Sequence, residues 1–222
     1  MCNTHYATGL QGGMYKLVAT QKERLDMRRE AVLDAAESLF LSKSFEATTL
    51  NDVVKKSGGS LATIYKLFGT KEQLLVGVLS RQGPSGVNIV RNVRRQSLPP
   101  SELLRTILTR LRRRFLNDRA IAMTKIIIAQ SLVDPGFSSK FGDQSMELLY
   151  DEVTDLFREW QQSGIAITNS PASLASAFLS ILMFEMFVKS IAADLTFERS
   201  DEQIEEEFQM FLRAIGLAND AP

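Results

Sequence analysis

The chain has 222 residues, of which 45% are hydrophobic and 23% charged, and its 26 acidic residues balance its 26 basic residues. This composition is typical of a globular protein with a sizeable core. The single cysteine, Cys2, excludes a disulfide framework and a thiolate metal site, and the single histidine, His5, excludes a multi-histidine metal site.

The first stretch, residues 1–21, is predicted to be a disordered leader. It lacks a charged segment followed by an apolar core, so it does not predict a secretory signal. Together with the unpaired cysteine, this pattern favours a cytoplasmic protein. The sequence leaves open whether the chain starts at Met1, Met14 or Met27.

Two helical signals follow the leader. Val32, Ala36, Leu39 and Phe40 form one apolar stripe and predict a helix. Residues 48–75 then indicate a short helix, a tight glycine turn, a second short helix and the start of a third.

Capping residues mark the start of each short helix. Thr49 and Asp52 have the spacing of a capping box, and Ser60 and Thr70 can cap the two helices that follow. Gly58 can take the positive φ angle that ends a helix and turns the chain. This order is typical of a helix-turn-helix, which lays its second helix in the DNA major groove.

The same segment resembles the DNA-binding domain of the TetR/AcrR-type transcriptional regulators over roughly residues 25 to 80. The most distinctive part is the spacing of Tyr65 and Phe68, followed by the Lys71-Glu72 pair. The residues that carry the resemblance are Thr49, Leu50, Gly58, Ser60, Thr63, Tyr65, Phe68, Thr70, Lys71 and Glu72.

Three positions depart from the family pattern. Gly59 stands where an aliphatic residue is common, and Leu61 stands where a basic or polar residue is common. Leu67 replaces an aromatic or imidazole side chain. These changes make the recognised base sequence harder to predict, although they do not threaten the fold.

Seven residues are predicted to contact DNA. Thr49, Tyr65 and Lys71 would bind phosphates, and such contacts fix the register without carrying sequence information. The others would read bases, with Leu61 able to touch a thymine methyl group. Two alternatives stay open, because Thr49 caps its helix with or without DNA and the Tyr65 ring could belong to the core. The seven residues are Thr49, Ser60, Leu61, Thr63, Tyr65, Lys66 and Lys71.

The resemblance implies a long helix that begins near Lys71 and connects the DNA-binding domain to a sensor domain. Here the Gly83-Pro84 pair interrupts that helix, and a proline in a helix interior costs ~3 kcal/mol. The helix is therefore predicted to end or kink near Arg81 and to restart over residues 87–95. A functional hinge and a simple loop are both open.

Three further helices are predicted over residues 101–117, 120–132 and 143–162. The resemblance implies that they form a sensor domain, and we expect any ligand to be a largely apolar small molecule. An arginine of the 105–119 stretch could select a carboxylate on it. The alternative for each apolar residue is ordinary core packing. The candidate ligand-binding residues are Phe115, Met123, Ile127, Met146, Tyr150, Phe157, Trp160 and Phe178.

Residues 174–193 are apolar and nearly long enough to span a membrane. Glu185 and Lys189 interrupt the segment, which favours a buried helix of a soluble protein with no membrane partner. The resemblance implies that this helix and an acidic helix over residues 201–215 form a four-helix dimer interface. The candidate interface residues are Phe184, Phe187, Phe208, Phe211 and Leu212.

The charges are unevenly distributed along the chain. Residues 1–133 contain 21 basic and 10 acidic residues, whereas residues 134–222 contain 5 basic and 16 acidic residues. The basic excess lies between Arg81 and Arg119. We expect these arginines to pair with the acidic half inside the fold or across a dimer.

Together these patterns predict an all-α protein with an N-terminal three-helix helix-turn-helix domain and a larger C-terminal helical domain, and the resemblance implies that the C-terminal domain serves ligand binding and dimerisation. The predicted segments are a leader (1–21), a DNA-binding domain (22–80), a linker or kinked helix (81–100), an effector-binding and dimerisation domain (101–217) and a tail (218–222). No catalytic motif is present, so no enzymatic activity, cofactor or metal is predicted.

The function that the resemblance implies is that of a ligand-responsive homodimeric regulator of transcription. It would act as a repressor that a small molecule releases from a palindromic operator in double-stranded DNA. The alternatives are a helix-turn-helix regulator controlled by a protein partner, and an all-α carrier or enzyme that does not bind DNA.

Overall fold

The computed structural model describes residues 20–81, 85–167, 169–191 and 199–217. Within these ranges the chain forms ten α-helices and no β-strand, which confirms the predicted all-α fold. Residues 1–19 of the predicted leader, the Gly83-Pro84 pair and the predicted tail lie outside the described residues. The helices are α1 (Gln21–Lys43), α2 (Leu50–Ser57), α3 (Leu61–Phe68), α4 (Lys71–Ser80), α5 (Ser85–Arg94), α6 (Pro100–Phe115), α7 (Asp118–Val133), α8 (Pro135–Gln162), α9 (Pro171–Ile191) and α10 (Asp201–Ala214).

Helices α1 to α4 form one unit, which we call the N-terminal domain. The long helix α1 contacts both α2 and α4, and its buried residues line the core of this domain. Each helix of the domain begins at a threonine or serine whose side chain accepts a backbone N–H of the first turn. The fully buried core residues of this domain include Val32, Ala36, Phe40, Val53, Ile64, Leu74, Leu75 and Val78.

Helices α5, α6, α8, α9 and α10 build a second core, and α7 packs on α8 and α9 to complete the larger C-terminal domain. Helix α5 lies inside the segment predicted as a linker, yet its Val87, Val90 and Val93 are buried against this core. The helix packs on α6 and α8, so the domain takes in residues well before 101. Valines spaced by three residues predict a helix, but they do not say which core it joins.

Two elements of the C-terminal half also reach the N-terminal domain. Met123 of α7 and Phe137 of α8 are buried in the core that α1 to α4 build. The two domains are therefore in direct apolar contact.

Helix α9 is the one helix of the described residues that is long and apolar enough to cross a membrane by length and composition. Half of the most apolar 18-residue stretch of α9 is buried inside the protein, where the helix packs against α6, α7, α8 and α10. Glu185, which interrupts the apolar run, is buried and paired with Arg112 and Lys189. Its packing matches the predicted core helix of a globular fold.

The predicted pairing of the basic stretch with the acidic half is present in part, since Arg81 and Arg119 pair instead with Glu37 of α1. Arg94 of α5 contacts Glu152 of α8 at 2.5 Å, and Arg105 of α6 pairs with Glu205 of α10. These ion pairs join distant parts of the chain within one molecule.

Candidate nucleic-acid interface

Helices α2 and α3 form the helix-turn-helix, and their inner faces anchor it to α1 and α4. Val53 of α2 and Ile64 and Phe68 of α3 are buried in the N-terminal core. Because these residues fill the inward stripe of two short helices, the opposite stripe of α3 is turned to solvent.

Three N-terminal caps hold the starts of α2, α3 and α4. The side-chain oxygens of Thr49, Ser60 and Thr70 each accept a hydrogen bond from the backbone N–H three residues later in the chain. The distances are 3.1, 3.2 and 3.1 Å, respectively. The predicted capping box of α2 is complete, since Asp52 also accepts the N–H of Thr49 at 3.0 Å. The Lys43 ammonium and the Thr49 N–H lower the pKa of the Asp52 carboxyl below its ordinary value.

Five of the seven residues predicted to reach DNA belong to α3 or its N-cap, whereas Thr49 caps α2 and Lys71 begins α4. The Tyr65 side chain is exposed, with 54% of its surface accessible, so its alternative as a core ring is wrong. Ser60 and Lys66 are exposed beside it, whereas Leu61 and Thr63 are half-buried near the start of the helix. The Thr63 hydroxyl lies 3.0 Å from that of Ser60, which fixes its position at the helix N-terminus.

Lys71 has a role that its position in the sequence does not reveal. Its ammonium donates to the carbonyl oxygens of Phe45 at 2.9 Å, Thr48 at 3.1 Å and Glu46 at 3.4 Å. It also lies 4.3 Å from the centre of the Phe45 ring. The ammonium therefore braces the loop between α1 and α2. A phosphate contact by Lys71 stays a prediction, and it requires the ammonium to leave one of these carbonyls.

Family comparisons agree with this geometry. The family model described as "Bacterial regulatory proteins, tetR family" matches residues 32–78, which span most of the N-terminal domain. The model described as "AefR-like transcriptional repressor, C-terminal domain" matches residues 102–216, which is more than half of the chain. The chain belongs to the TetR family of transcriptional regulators. As a TetR-family regulator it has a DNA-binding domain and is not an enzyme.

Individual relatives support the same assignment for this TetR-family regulator. It is 42% identical over 53 residues to the HTH-type transcriptional regulator YfiR of Bacillus subtilis, a match that covers 24% of this chain and 26% of YfiR. The chain spans only a quarter to a half of the length of the curated relatives it matches.

Solved structures share the fold over a greater length. A TetR-family transcriptional regulator from Mesorhizobium loti has a TM-score of 0.73 and 21% identity, and the match covers 86% of this chain and 97% of that one. The Flavonoid-responsive Regulator FrrA has a TM-score of 0.62 and 24% identity, with 85% and 97% covered.

The candidate ligand-binding residues of the TetR-family regulator fall into two groups. Met123 and Ile127 pack in the N-terminal core, so they do not share a core with the other six. Those six pack in or against the C-terminal core. Phe157 and Phe178 are fully buried, and the Phe157 ring meets the ring of Trp160 edge-on at 5.6 Å.

The candidate dimer residues also fall into two groups, which differ in their exposure to solvent. Phe184 and Phe187 of α9 are each 48% exposed, as the prediction requires, and Arg199 stacks over the Phe184 ring. Phe208 and Leu212 of α10 are only 1% and 2% exposed, so they are core residues of the same chain and not an open face. The single apolar stripe of α10 covers its own protomer.

Phe211, the last of the dimer candidates, is half-buried. Its ring lies 5.8 Å from the ring of Phe178 and 6.4 Å from that of Phe157. It therefore joins the aromatic cluster of the C-terminal core, in contact with two residues that were predicted to bind ligand.

A buried carboxylate joins the two domains, and the sequence pattern did not single it out. Glu37 of α1 is 4% exposed and accepts from Arg81 Nη2 at 2.7 Å and from Arg119 Nε at 2.8 Å. Arg81 ends α4, and Arg119 opens α7 in the C-terminal domain. The hydrogen bond to Glu37 raises the pKa of Arg119 above its ordinary value. We call Glu37, Arg81 and Arg119 the Glu37 cluster.

Proposed function

We propose that this protein is a ligand-responsive, homodimeric repressor that acts in the cytoplasm, and that a largely apolar small molecule releases it from a palindromic operator. The observation that carries the proposal is the exposed face of α3, which presents Tyr65 and Lys66 from a domain whose inner side is anchored in a core. A helix held in this way can enter the major groove without a large loss of conformational entropy.

The proposed DNA contacts divide by chemistry. Thr49 and Tyr65 bind phosphates, together with the open N–H groups at the starts of α2 and α4. Leu61 and Thr63 read base edges, with Ser60 and Lys66 beside them. The half-burial of Leu61 and Thr63 restricts their rotamers, so base contacts from them would be well defined.

The proposed dimer uses the exposed apolar part of α9. Phe187 and Ile191 lie one helical turn apart near its C-terminal end and are 48% and 70% exposed. A symmetric pair buries this surface twice, and it places two α3 helices about one DNA turn, ~34 Å, apart. The two-fold symmetry of such a pair requires an operator with inverted half-sites.

Three observations support a repressor that responds to a small molecule. The C-terminal half matches a model described for AefR-like transcriptional repressors. A protein of the same fold is named a flavonoid-responsive regulator. The C-terminal core is rich in aromatic side chains, which suits an apolar guest.

We propose that the Glu37 cluster carries the signal from the ligand to the DNA. It connects α7, which lies in the C-terminal domain, with α1 and the end of α4. A ligand that shifts α7 changes this contact and tilts α4, which moves the two α3 helices out of register. Such coupling is typically ~1–3 kcal/mol.

One observation favours the alternative of control by a protein partner. Phe157 and Phe178 are fully buried, and their rings already contact each other at 6.5 Å between centroids. If this aromatic core is closed, Phe157 and Phe178 stabilise the fold and do not bind a ligand. A protein partner would then regulate DNA binding by contacting the outer surface.

Paired titrations distinguish the two forms of control. Apolar aromatic and fatty carboxylates are screened by thermal shift, and each hit is titrated into the protein with and without operator DNA. A ligand that lowers operator affinity must bind more weakly by the same factor when operator is present. Equal ligand affinities in the two titrations would contradict induction by that ligand. A screen without hits, combined with tight operator binding, would favour the protein partner.

A further inference from the structure

The turn between α2 and α3 is held by a side chain from α1. The Arg28 guanidinium donates from Nη1 to the carbonyl oxygen of Ser57 at 2.7 Å, and from Nη2 to the carbonyl oxygen of Gly58. Nη2 also lies 3.3 Å from the Ser57 hydroxyl. These are the carbonyls that the end of α2 leaves without helical partners, and the negative end of a helix favours a cation.

The room for this guanidinium comes from Gly59. A β-carbon built on Gly59 would lie 2.6 Å from the Arg28 Cζ atom, which is closer than any real contact. Gly58 and Gly59 also have φ angles of +77° and +81°, and only glycine adopts two such angles in succession at little cost.

We propose that Arg28 is a positioning residue for DNA reading, which sets the angle of α3 through the Gly58-Gly59 turn. The helix α3 begins two residues after Gly59, so the turn determines where Leu61 and Thr63 point. Base contacts need hydrogen-bond geometry within a few tenths of an ångström, whereas phosphate contacts tolerate larger shifts. Loss of Arg28 therefore weakens specific binding more than non-specific binding. This inference rests on the proposed reading of DNA by α3.

The first test measures the affinity of Arg28→Ala for an operator selected from random DNA and for a random duplex, each over a range of salt. We expect specific affinity to fall by about 10-fold, as for the loss of hydrogen bonds to a charged group. Non-specific affinity and the salt slope stay unchanged. Arg110→Ala removes an exposed charge of α6, far from the turn, and serves as the matched control with wild-type behaviour.

Two results would overturn the proposal. Equal losses for both duplexes with a slope reduced by about one would make Arg28 a phosphate contact. A lower melting temperature with an unchanged ratio of specific to non-specific affinity would make it a purely structural residue. If Arg28→Ala does not fold, Arg28→Gln is measured in the same way, and an unchanged ratio again overturns the proposal.

A double-mutant cycle of Arg28→Ala and Gly59→Ala tests the contact without DNA. When Arg28 is present, Gly59→Ala displaces the guanidinium and also strains the backbone. When Arg28 is absent, Gly59→Ala costs only the backbone strain. The two losses in unfolding free energy are therefore less than additive, and full additivity would refute the contact. A wild-type protein that prefers no duplex would instead contradict the proposed function, while the cycle would still report on the turn.

Discussion

Replacing Glu37 by glutamine removes the shared negative charge between the two domains while keeping the side-chain shape. The carboxylate is 4% exposed and accepts from both Arg81 and Arg119. Removing one partner of a buried ion pair costs ~3–5 kcal/mol when the other charge is left unpaired. Here the loss is smaller, because Arg81 keeps Asp34 at 2.6 Å and the Arg119 side chain is 58% exposed to water. We expect about 2 kcal/mol of unfolding free energy to be lost.

The assay is urea unfolding at neutral pH, followed by circular dichroism. Glu30→Gln is the matched control, since Glu30 contacts the same arginine at 3.2 Å but its side chain is 54% exposed. That exposed pair is worth only ~0–1 kcal/mol. Glu37→Gln should also reduce the coupling between ligand and operator. If the two variants were equally stable and equally coupled, the reasoning about the Glu37 cluster would be refuted.

Four further predictions follow from the same geometry. Thr63→Ala should change the preferred bases without changing the salt slope, as measured by selection and by titration over a range of salt. Lys71→Ala should lower unfolding free energy by about 1–3 kcal/mol, because three carbonyls of the α1–α2 loop lose their donor, and calorimetry measures this. Phe187→Ser should weaken the dimer by about 10- to 100-fold in sedimentation experiments, because the half of each Phe187 side chain that is exposed in one protomer would be buried in the dimer. Asp52→Asn should destabilise the protein near neutral pH but approach the stability of wild type as the pH falls. Folding lowers the pKa of Asp52, so its carboxylate stabilises the wild-type protein above the unfolded pKa of 3.8, and this stabilisation is lost as the pH falls below that value.

Each of these predictions has its own refuting result. An unchanged base preference in Thr63→Ala would remove this residue from base reading. If Lys71→Ala reduced the salt dependence of DNA affinity by about one phosphate contact without a loss of stability, Lys71 would be a phosphate-binding residue and not a structural one. A dimer unaffected by Phe187→Ser would move the interface away from the end of α9. A constant difference between Asp52→Asn and wild type from pH 7 to pH 2 would show that the Asp52 charge does not support the capping box.

The N-terminal domain was predictable in detail because its signals are local. The capping box of Thr49 and Asp52 and the cap at Ser60 lie within four residues of the helices they define. The end of α4 at Ser80 and the start of a separate helix at Ser85 agree with the predicted end near Arg81 and restart. Fold class and family follow from such short-range patterns.

The contacts that position the site could not be predicted in the same way. Arg28 meets the turn 29 residues later in the chain, and Lys71 meets a carbonyl 26 residues earlier. From the sequence alone, an arginine or lysine at these positions is expected to be an ordinary surface charge, because the carbonyl groups that it contacts are distant in the chain. The departure at Gly59 was the one visible signal, since a missing side chain in a turn indicates that another group approaches closely.

The dimer candidates show a second limit of periodicity. The stripe that includes Phe208 and Leu212 correctly predicts a helix with one apolar face. The pattern does not say whether that face covers its own chain or a partner, and in this structure it covers its own chain. Phe187 and Ile191 then become the better guides to an interface, because they are 48% and 70% exposed.

The most direct test of the account is selection of bound duplexes from random DNA by the purified full-length protein. The account predicts two inverted half-sites whose centres lie about one helical turn, ~34 Å, apart, because each protomer inserts one α3 into the major groove. Selected sequences with a single, non-repeated site, or no enrichment of any duplex at low salt, would contradict it.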